Sequence, residues 1–204
     1  MNSPGLSKQI YASVRTPSAE NSSEFTADDR RALLDEISLL RTRILNLEHA
    51  ADTDPLVPIY NRRAFMREIS RAQTVMSRYD IPSSIIFFDL NGFKAINDRY
   101  GHSIGDDFLK KVGIILKASV RECDMVARIG GDEFGVLLFK TDGKLADMKA
   151  AALACRIAEQ KIEMPTGAIH IRCSWGVSDC NPEETVREIL ERADQAMYAD
   201  KFQN

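Results

Sequence analysis

The sequence predicts an α+β fold: a small sheet that contains one hairpin, with helices interrupting its strands and a separate amphipathic helix ahead of it. Three observations carry this reading. Apolar residues flank Gly130-Gly131 on both sides, with Met125, Val126 and Ile129 before it and Phe134 and Val136 to Phe139 after it. That is the pattern of two short strands joined at a glycine-rich turn. Ile85-Ile86-Phe87-Phe88 is a short, continuously apolar run, as expected of a central strand buried on both faces. Around these lie segments whose apolar residues recur every three or four positions, the helical period.

Composition bounds what such a chain can do. It has 204 residues, 44% hydrophobic and 28% charged, enough for one well-buried domain plus an appendage. A net charge of −3 excludes a general basic surface, and with it broad nucleic-acid binding. No apolar run approaches the ~20 residues of a membrane span. The first residues lack a signal-peptide core, so a cytoplasmic protein is expected. Cys123, Cys155, Cys173 and Cys180 show no C-x-x-C spacing and read as reduced core or near-surface thiols.

Residues 1–25 are rich in Ser, Pro and Asn and read as a disordered tail, with Ile10-Tyr11 as a docking point for a protein partner in the alternative. Residues 26–53 read as a helical stalk. Thr26 resembles an N-cap, with Asp28 and Asp29 in the first turn. Leu33, Ile37, Leu40, Ile44, Leu47 and Ala51 then step by four and three, a heptad repeat. β-Branched residues at one seam position and Leu at the other favour a parallel two-stranded coiled coil, hence a homodimer. The alternative is an amphipathic helix packed on its own domain. The charged residues of this stretch read as a solvated face.

The domain proper is expected over residues 54–204. Asn61 starts a helix to about residue 79, with Phe65, Ile69 and Met76 on its apolar face and Pro82 beyond its end. The strand at Ile85 ends in Asp89. Asn91-Gly92 is a turn and a helix restarts near Phe93. Another helix, carrying Phe108, Val112, Ile115 and Leu116, follows Gly101 and runs to about Val120. Beyond the hairpin, Leu145, Met148, Ala152, Cys155 and Ile162 predict one more amphipathic helix, and residues 170–177 a strand. Residues 185–201 are the last helix, with Val186, Ile189, Ala193, Ala196 and Met197 as its buried stripe.

The acids carry the chemistry. Asp132 and Glu133 are adjacent carboxylates on a tight turn between buried strands, where they repel each other. Asp89 ends a buried strand, a costly place for a carboxylate without a cation or partner. If the two strands are neighbours, Asp89 and Asp132 converge, and oxygen ligands of this kind suit Mg²⁺, which also takes phosphate oxygens. The exposed N–H groups at the helix start near Phe93, with Lys94 beside them, suit a phosphate.

Gly130-Gly131-Asp132-Glu133-Phe134 is letter for letter the signature of the GGDEF family, the diguanylate cyclases. Companion stretches are similar too. Residues 54–63 resemble the family's D-x-L-T-G-L-x-N-R-R at Asp54, Leu56, Asn61, Arg62 and Arg63, with Val57 and Pro58 in place of Thr and Gly. Pro58 stiffens this junction. Residues 193–201 resemble A-D-x-A-L-Y-x-A-K. The resemblance implies a palm-like, ferredoxin-related fold and the condensation of two GTP into cyclic di-GMP and pyrophosphate across a homodimer. It implies Mg²⁺, or Mn²⁺ in its place, held by Asp89, the backbone carbonyl of Leu90, Asp132 and Glu133. Glu133, Asp132 and Asp89 would be catalytic, Glu133 acting through a second metal or by activating the 3′-hydroxyl. Gly92, Phe93, Lys94 and Lys201 would contact the triphosphate. Asn97 and Asp106 would read guanine, whose N1–H and N2 amine a carboxylate can accept and adenine lacks. Either residue alone also reads as a helix cap. His102 reads as a structural loop residue. Asn91, where the family often has Asp, maps onto no direct metal ligand.

Arg121-Glu122-Cys123-Asp124 is R-x-x-D at the offset from Gly130 that resembles the family's inhibitory product-binding site. The alternative is an exposed ion pair, worth little. The family often has an arginine four residues after the position of Lys201, which is past the last residue here. Two rivals remain. A non-catalytic cyclic di-GMP receptor is disfavoured by the intact acids, and a cyclase for another base is disfavoured by Asn97 and Asp106.

Overall fold

The apolar run at Ile85 becomes the centre of the sheet. The structure, a computed structural model, describes residues 26–164 and 167–201. Strand β2 (Ser83–Asn91) pairs antiparallel with β4 (Glu133–Phe139) on one side and β7 (Arg172–Asp179) on the other. Strand β3 (Met125–Arg128) forms the expected hairpin with β4, and the short β1 (Tyr60–Asn61) adds a parallel edge, giving the order β1-β3-β4-β2-β7.

Side chains alternate along a strand, so a central strand feeds two cores. Ile86, Phe88 and Leu90 pack with Phe93 of α3 (Phe93–Tyr100), Phe108 and Val112 of α4 (His102–Ala118), and Leu153 of α5 (Gly143–Ala158). Ile85 and Phe87 pack with Phe65 and Ile69 of α2 (Arg62–Tyr79) and Ile189 and Ala193 of α6 (Val186–Lys201). Helices therefore cover both faces, and the ends of β2 and β4 lie between them.

Several expectations need correction. The central strand does not end at Asp89: β2 continues through Asn91, because β7 pairs with it to that point. The stripe expected on α5 is on the wrong face. Leu145 and Met148 are 54% and 64% exposed, Ala152 and Cys155 are exposed, and Ala146, Ala150, Leu153, Ala154 and Ile157 are buried. Small residues let this helix approach the sheet closely, and reading by the large residues picked the outer face. Ile162 belongs instead to β5 (Lys161–Met164), which forms a separate hairpin with β6 (Gly167–His170), so His170 precedes the predicted strand rather than starting it. On α6, Ala196 is exposed.

The chain divides into two compact units, residues 1–47 and 48–204, within helix α1 (Ala27–Asp52). In the first unit, Thr26 caps α1: its Oγ1 accepts from Asp29 N at 3.1 Å and its own N–H donates to Asp29 Oδ2 at 3.0 Å. Leu33, Ile37, Leu40 and Ile44 are all more than two-fifths exposed, and the side chain of Leu47 lies outside what is described. The tail of residues 1–25, with its Ile10-Tyr11 docking point, also lies outside the described residues. In the second unit, Asn61 joins two helix ends. Its Oδ1 accepts from Ala64 N at 3.0 Å, and its Nδ2 donates to the carbonyls of Ala51 at 2.8 Å and Thr53 at 3.1 Å. Arg67, and less strongly Arg63, pair with Asp52 and hold its carboxyl below the usual carboxylate range. Cys173 and Cys180 are buried, Cys123 and Cys155 exposed, and all four are free thiols. Among the described residues no helix is long and apolar enough to cross a membrane.

Candidate active site

Because β2 and β4 are neighbours, the two acid-bearing segments meet. Asp89 stands directly opposite Glu133 in the ladder. The alternation along β2 puts both on the face covered by α2 and α6. Like charges directly opposite each other destabilise a sheet. Asp132 precedes Glu133 in the turn, and its carbonyl accepts from Leu90 N at 3.2 Å, which ties the turn to β2. Burial, then Asp89, Asp132 and Asp194 in turn, push the Glu133 carboxyl above its usual range, while Arg62 works the other way. The Glu133 carboxylate folds over Gly130, where any β-carbon would overlap its Oε2.

Three residues near this cluster had no role in the sequence reading. Asp194 and Arg62 lie in the two flanking stretches whose letters resemble the family. Arg128 lies two residues before Gly130. Its Nη1 pairs with Asp54 Oδ1 at 3.2 Å, while Nε and Nη2 donate to the carbonyl of Gly131 at 3.2 and 2.8 Å. Asp54 Oδ1 also accepts from Leu56 N at 3.0 Å and Val57 N at 2.9 Å. One guanidinium thus braces the acidic turn against the entry stretch.

The remaining expected residues lie at the start of α3, between α3 and α4, and at the end of α6. Gly92 precedes α3 in the left-handed region, at φ 72°, and no side chain caps the helix, so its first N–H groups stay open to an anion. Phe93 is buried and Lys94 exposed. Asn97 and Asp106 are both half-buried, and neither is a helix cap, since Gly92 and Gly101 hold those positions. Asn97 packs so closely on Gly105 that a β-carbon there would overlap its Oδ1. That Oδ1 is buried without a hydrogen-bond partner among the described residues. A buried, unsatisfied acceptor is costly and calls for a donor. His102 is the exposed first residue of α4 rather than a loop residue, because the helix begins directly after Gly101. Asn91 accepts from Ser174 Oγ at 3.1 Å and so joins β2 to β7. Lys201 is the last residue of α6, with its side chain outside what is described.

Arg121 and Asp124 lie at the corner after α4. The Asp124 carboxylate accepts from Arg121 N at 3.0 Å and from Phe139 N at 3.1 Å, so it folds the corner and anchors it to β4. The guanidinium of Arg121 is exposed and makes no hydrogen bond or ion pair among the described residues.

The acidic cluster fits a hard divalent cation. Its donors are all oxygens, and burial together with their mutual repulsion raises the Glu133 carboxyl. Among the described residues no group of three or more His, Cys, Asp or Glu side chains is placed to hold a metal ion by itself, so a bound cation would complete its shell with water and substrate oxygens.

The family model "Diguanylate cyclase, GGDEF domain" matches residues 51–204. Diguanylate cyclase TpbB of Pseudomonas aeruginosa strain UCBPP-PA14 is 35% identical over 189 residues, 86% of this chain and 42% of that protein. Probable diguanylate cyclase DgcT of Escherichia coli K12 is 35% identical over 162 residues, 76% of this chain and 34% of that protein. The chain therefore spans less than half the length of either relative. Among solved structures, the coiled coil and GGDEF domain of DgcB from Caulobacter crescentus, in complex with c-di-GMP, aligns with a TM-score of 0.79 at 24% identity, over 87% of this chain and 95% of that one. At that identity the likeness bears on the fold alone. The GGDEF domain of P. aeruginosa TpbB aligns with a TM-score of 0.68 at 33% identity, over 74% of this chain and 90% of that one. The palm-like α+β fold expected from the sequence is the fold of these structures.

Proposed function

The chain belongs to the GGDEF family of diguanylate cyclase domains, and on that premise we propose that it condenses two GTP into cyclic di-GMP with release of pyrophosphate. The observation that carries this reading is the acid cluster, with Asp89 opposite Glu133 and Asp132 and Asp194 beside it. Asp89, the Leu90 carbonyl, Asp132 and Glu133 would hold Mg²⁺, or Mn²⁺ in its place. When bound, the ion neutralises charge that develops on the phosphates. Glu133 would act on the attacking 3′-hydroxyl, through a second metal or by taking its proton.

Substrate selection follows from the α3–α4 junction. The unsatisfied Oδ1 of Asn97 and the carboxylate of Asp106 are acceptors for guanine's N1–H and N2 amine. Adenine would leave them unpaired. The open N–H groups after Gly92, with Lys94 and Lys201, would bind the triphosphate. A domain that consumes GTP works where GTP is made, so we assign it to the cytoplasmic side.

Each domain would hold one GTP, so product forms across a symmetric pair. The stalk supports a parallel, in-register homodimer. With Ile37 and Ile44 at a and Leu40 at d, Glu36 and Arg43 occupy g positions, and Arg41 and Glu48 occupy e positions. In that arrangement each g residue meets an e residue of opposite charge on the second copy, Glu36 with Arg41 and Arg43 with Glu48. Arg121, whose guanidinium has no partner among the described residues, would bind cyclic di-GMP as an inhibitor, through a fork that matches O6 and N7 of guanine.

The test is incubation of the purified chain with GTP and Mg²⁺, followed by chromatography. Cyclic di-GMP and pyrophosphate are the expected products. A chain that binds cyclic di-GMP but leaves GTP intact would establish the receptor reading instead.

A further inference from the structure

A cavity of about 620 Å³ opens beside Arg121, within the ~300–1,000 Å³ range of small-molecule sites. One wall is the corner after α4, with Val120, Arg121 and Asp124. Another wall is the entry turn, including Val57 and Pro58, which stand where the family has Thr and Gly. Lys117 of α4 lies on its rim and donates weakly to the carbonyl of Pro58 at 3.5 Å. Val57 is fully buried against Gly113 of α4, so this wall is fixed to the helix.

The charges lining the cavity are unevenly satisfied. Asp54 is paired with Arg128 and takes two backbone N–H groups. Asp124 takes two backbone N–H groups as well. Glu122 is exposed at the rim. Among the described residues Arg121 has no side-chain partner and Lys117 has one long bond, so two cations line a cavity whose remaining lining is partly apolar. That combination suits a planar base attached to a phosphate: the apolar lining takes the base, and the cations take the base edge and the anion.

We infer that the site for cyclic di-GMP extends from Arg121 into this cavity, where one guanine lies between Val120 and the entry turn and a phosphate faces Lys117. The inference rests on the product-site reading of Arg121 and adds the second wall to it. Bound product would then press on the turn that leads from the stalk into the domain. The same turn carries Asp54, which Arg128 connects to the Gly131 carbonyl beside the catalytic acids. Occupancy would thereby reach both the stalk junction and the acidic turn.

Titration calorimetry of cyclic di-GMP into the full chain, without GTP, tests this. Arg121→Ala should abolish measurable binding. Lys117→Glu and Pro58→Trp, both at exposed positions, should each weaken it tenfold or more, with melting curves that match the unaltered protein. If Arg121→Ala loses binding and the other two titrate like the parent, the cavity is not part of the site, and the inference falls while the product site stands. If Arg121→Ala binds as well as the parent, the product-site reading fails and the inference fails with it. Amide exchange on the unaltered protein gives a check that needs no variant. Bound cyclic di-GMP should slow exchange across residues 56–60, and unchanged exchange there at saturation overturns the inference.

Discussion

Replacing Arg128 by methionine tests whether the entry turn holds the acidic turn in place. The side chains of Arg128 and Asp54 are only 16% and 12% exposed, so their pair is poorly screened. Removing one partner of a buried pair costs ~3–5 kcal/mol when the other charge is stranded. Here the Asp54 carboxylate keeps the N–H groups of Leu56 and Val57, so the lower figure for a bond to a charged group, ~2 kcal/mol, is the better estimate. At ~2–4 °C per kcal/mol for a chain of this size, the melting temperature should fall by ~4–8 °C. A double-mutant cycle with Asp54→Asn should return a coupling of ~0.5–3 kcal/mol. The variant also frees the Gly131 carbonyl next to Asp132 and Glu133, so kcat should drop more than KM rises. Additive melting temperatures in the cycle would show that Arg128 and Asp54 do not act together. A normal kcat in a destabilised variant would show that the brace serves stability alone.

Three further outcomes are expected. Glu133→Gln should abolish cyclic di-GMP formation yet raise the melting temperature of the metal-free protein at neutral pH, since it removes a charge that is partly buried and stands among Asp89, Asp132 and Asp194. A carboxyl held above 4.5 costs the folded state stability only when ionised, so the gain should vanish below pH 4.5, grow through the raised value and be complete above it; a gain that persists in acid contradicts the cause assigned. Gly176→Ala should lower stability by ~1–3 kcal/mol, because its new β-carbon would overlap the carbonyl of Ala193 and the amide of Met197, main-chain atoms that cannot swing aside; an unshifted melting curve refutes this packing. Removing residues 1–47, or combining Arg41→Glu with Arg43→Glu, should shift the chain toward monomer in sedimentation and make its specific activity depend steeply on concentration, and a dimer that survives both changes places the main contact elsewhere.

What the sequence reveals and conceals here has physical causes. The central strand and the hairpin are legible because a continuous apolar run and a paired glycine admit few other conformations. The face of α5 is not, because its core residues are mostly alanines, which hydropathy barely distinguishes from surface. Leu145 and Met148 advertise a stripe that the fold leaves exposed. The spacing of Ile162 continues that stripe and so conceals the β5–β6 hairpin. In the site, Asp89, Asp132 and Glu133 stand out as acids in apolar company. The brace from Arg128 to Asp54 spans 74 residues, and no local pattern records it. Asp194 enters the cluster only because α6 packs against the face of β2 that carries Asp89. Each omission is a tertiary contact between segments whose local letters are unremarkable.

The acid cluster also weighs on the choice between an enzyme and a receptor. A domain that only bound cyclic di-GMP would need Arg121 and its corner, which lie on the far side of the hairpin from Glu133. It would have no use for Asp89 opposite Glu133, an arrangement that destabilises the sheet by repulsion and burial together. Neutral residues at either position would relieve that cost without touching the product site. The local structure instead accommodates the charge: Gly130 clears space for the Glu133 carboxylate, and Arg128 fixes the turn. The orphaned oxygen of Asn97 makes the same point at the other end of the site, since it is a cost that a guanine donor would remove. Two separate penalties, one electrostatic and one of hydrogen bonding, would both be relieved by the proposed complex of a divalent cation and GTP. A product receptor relieves neither.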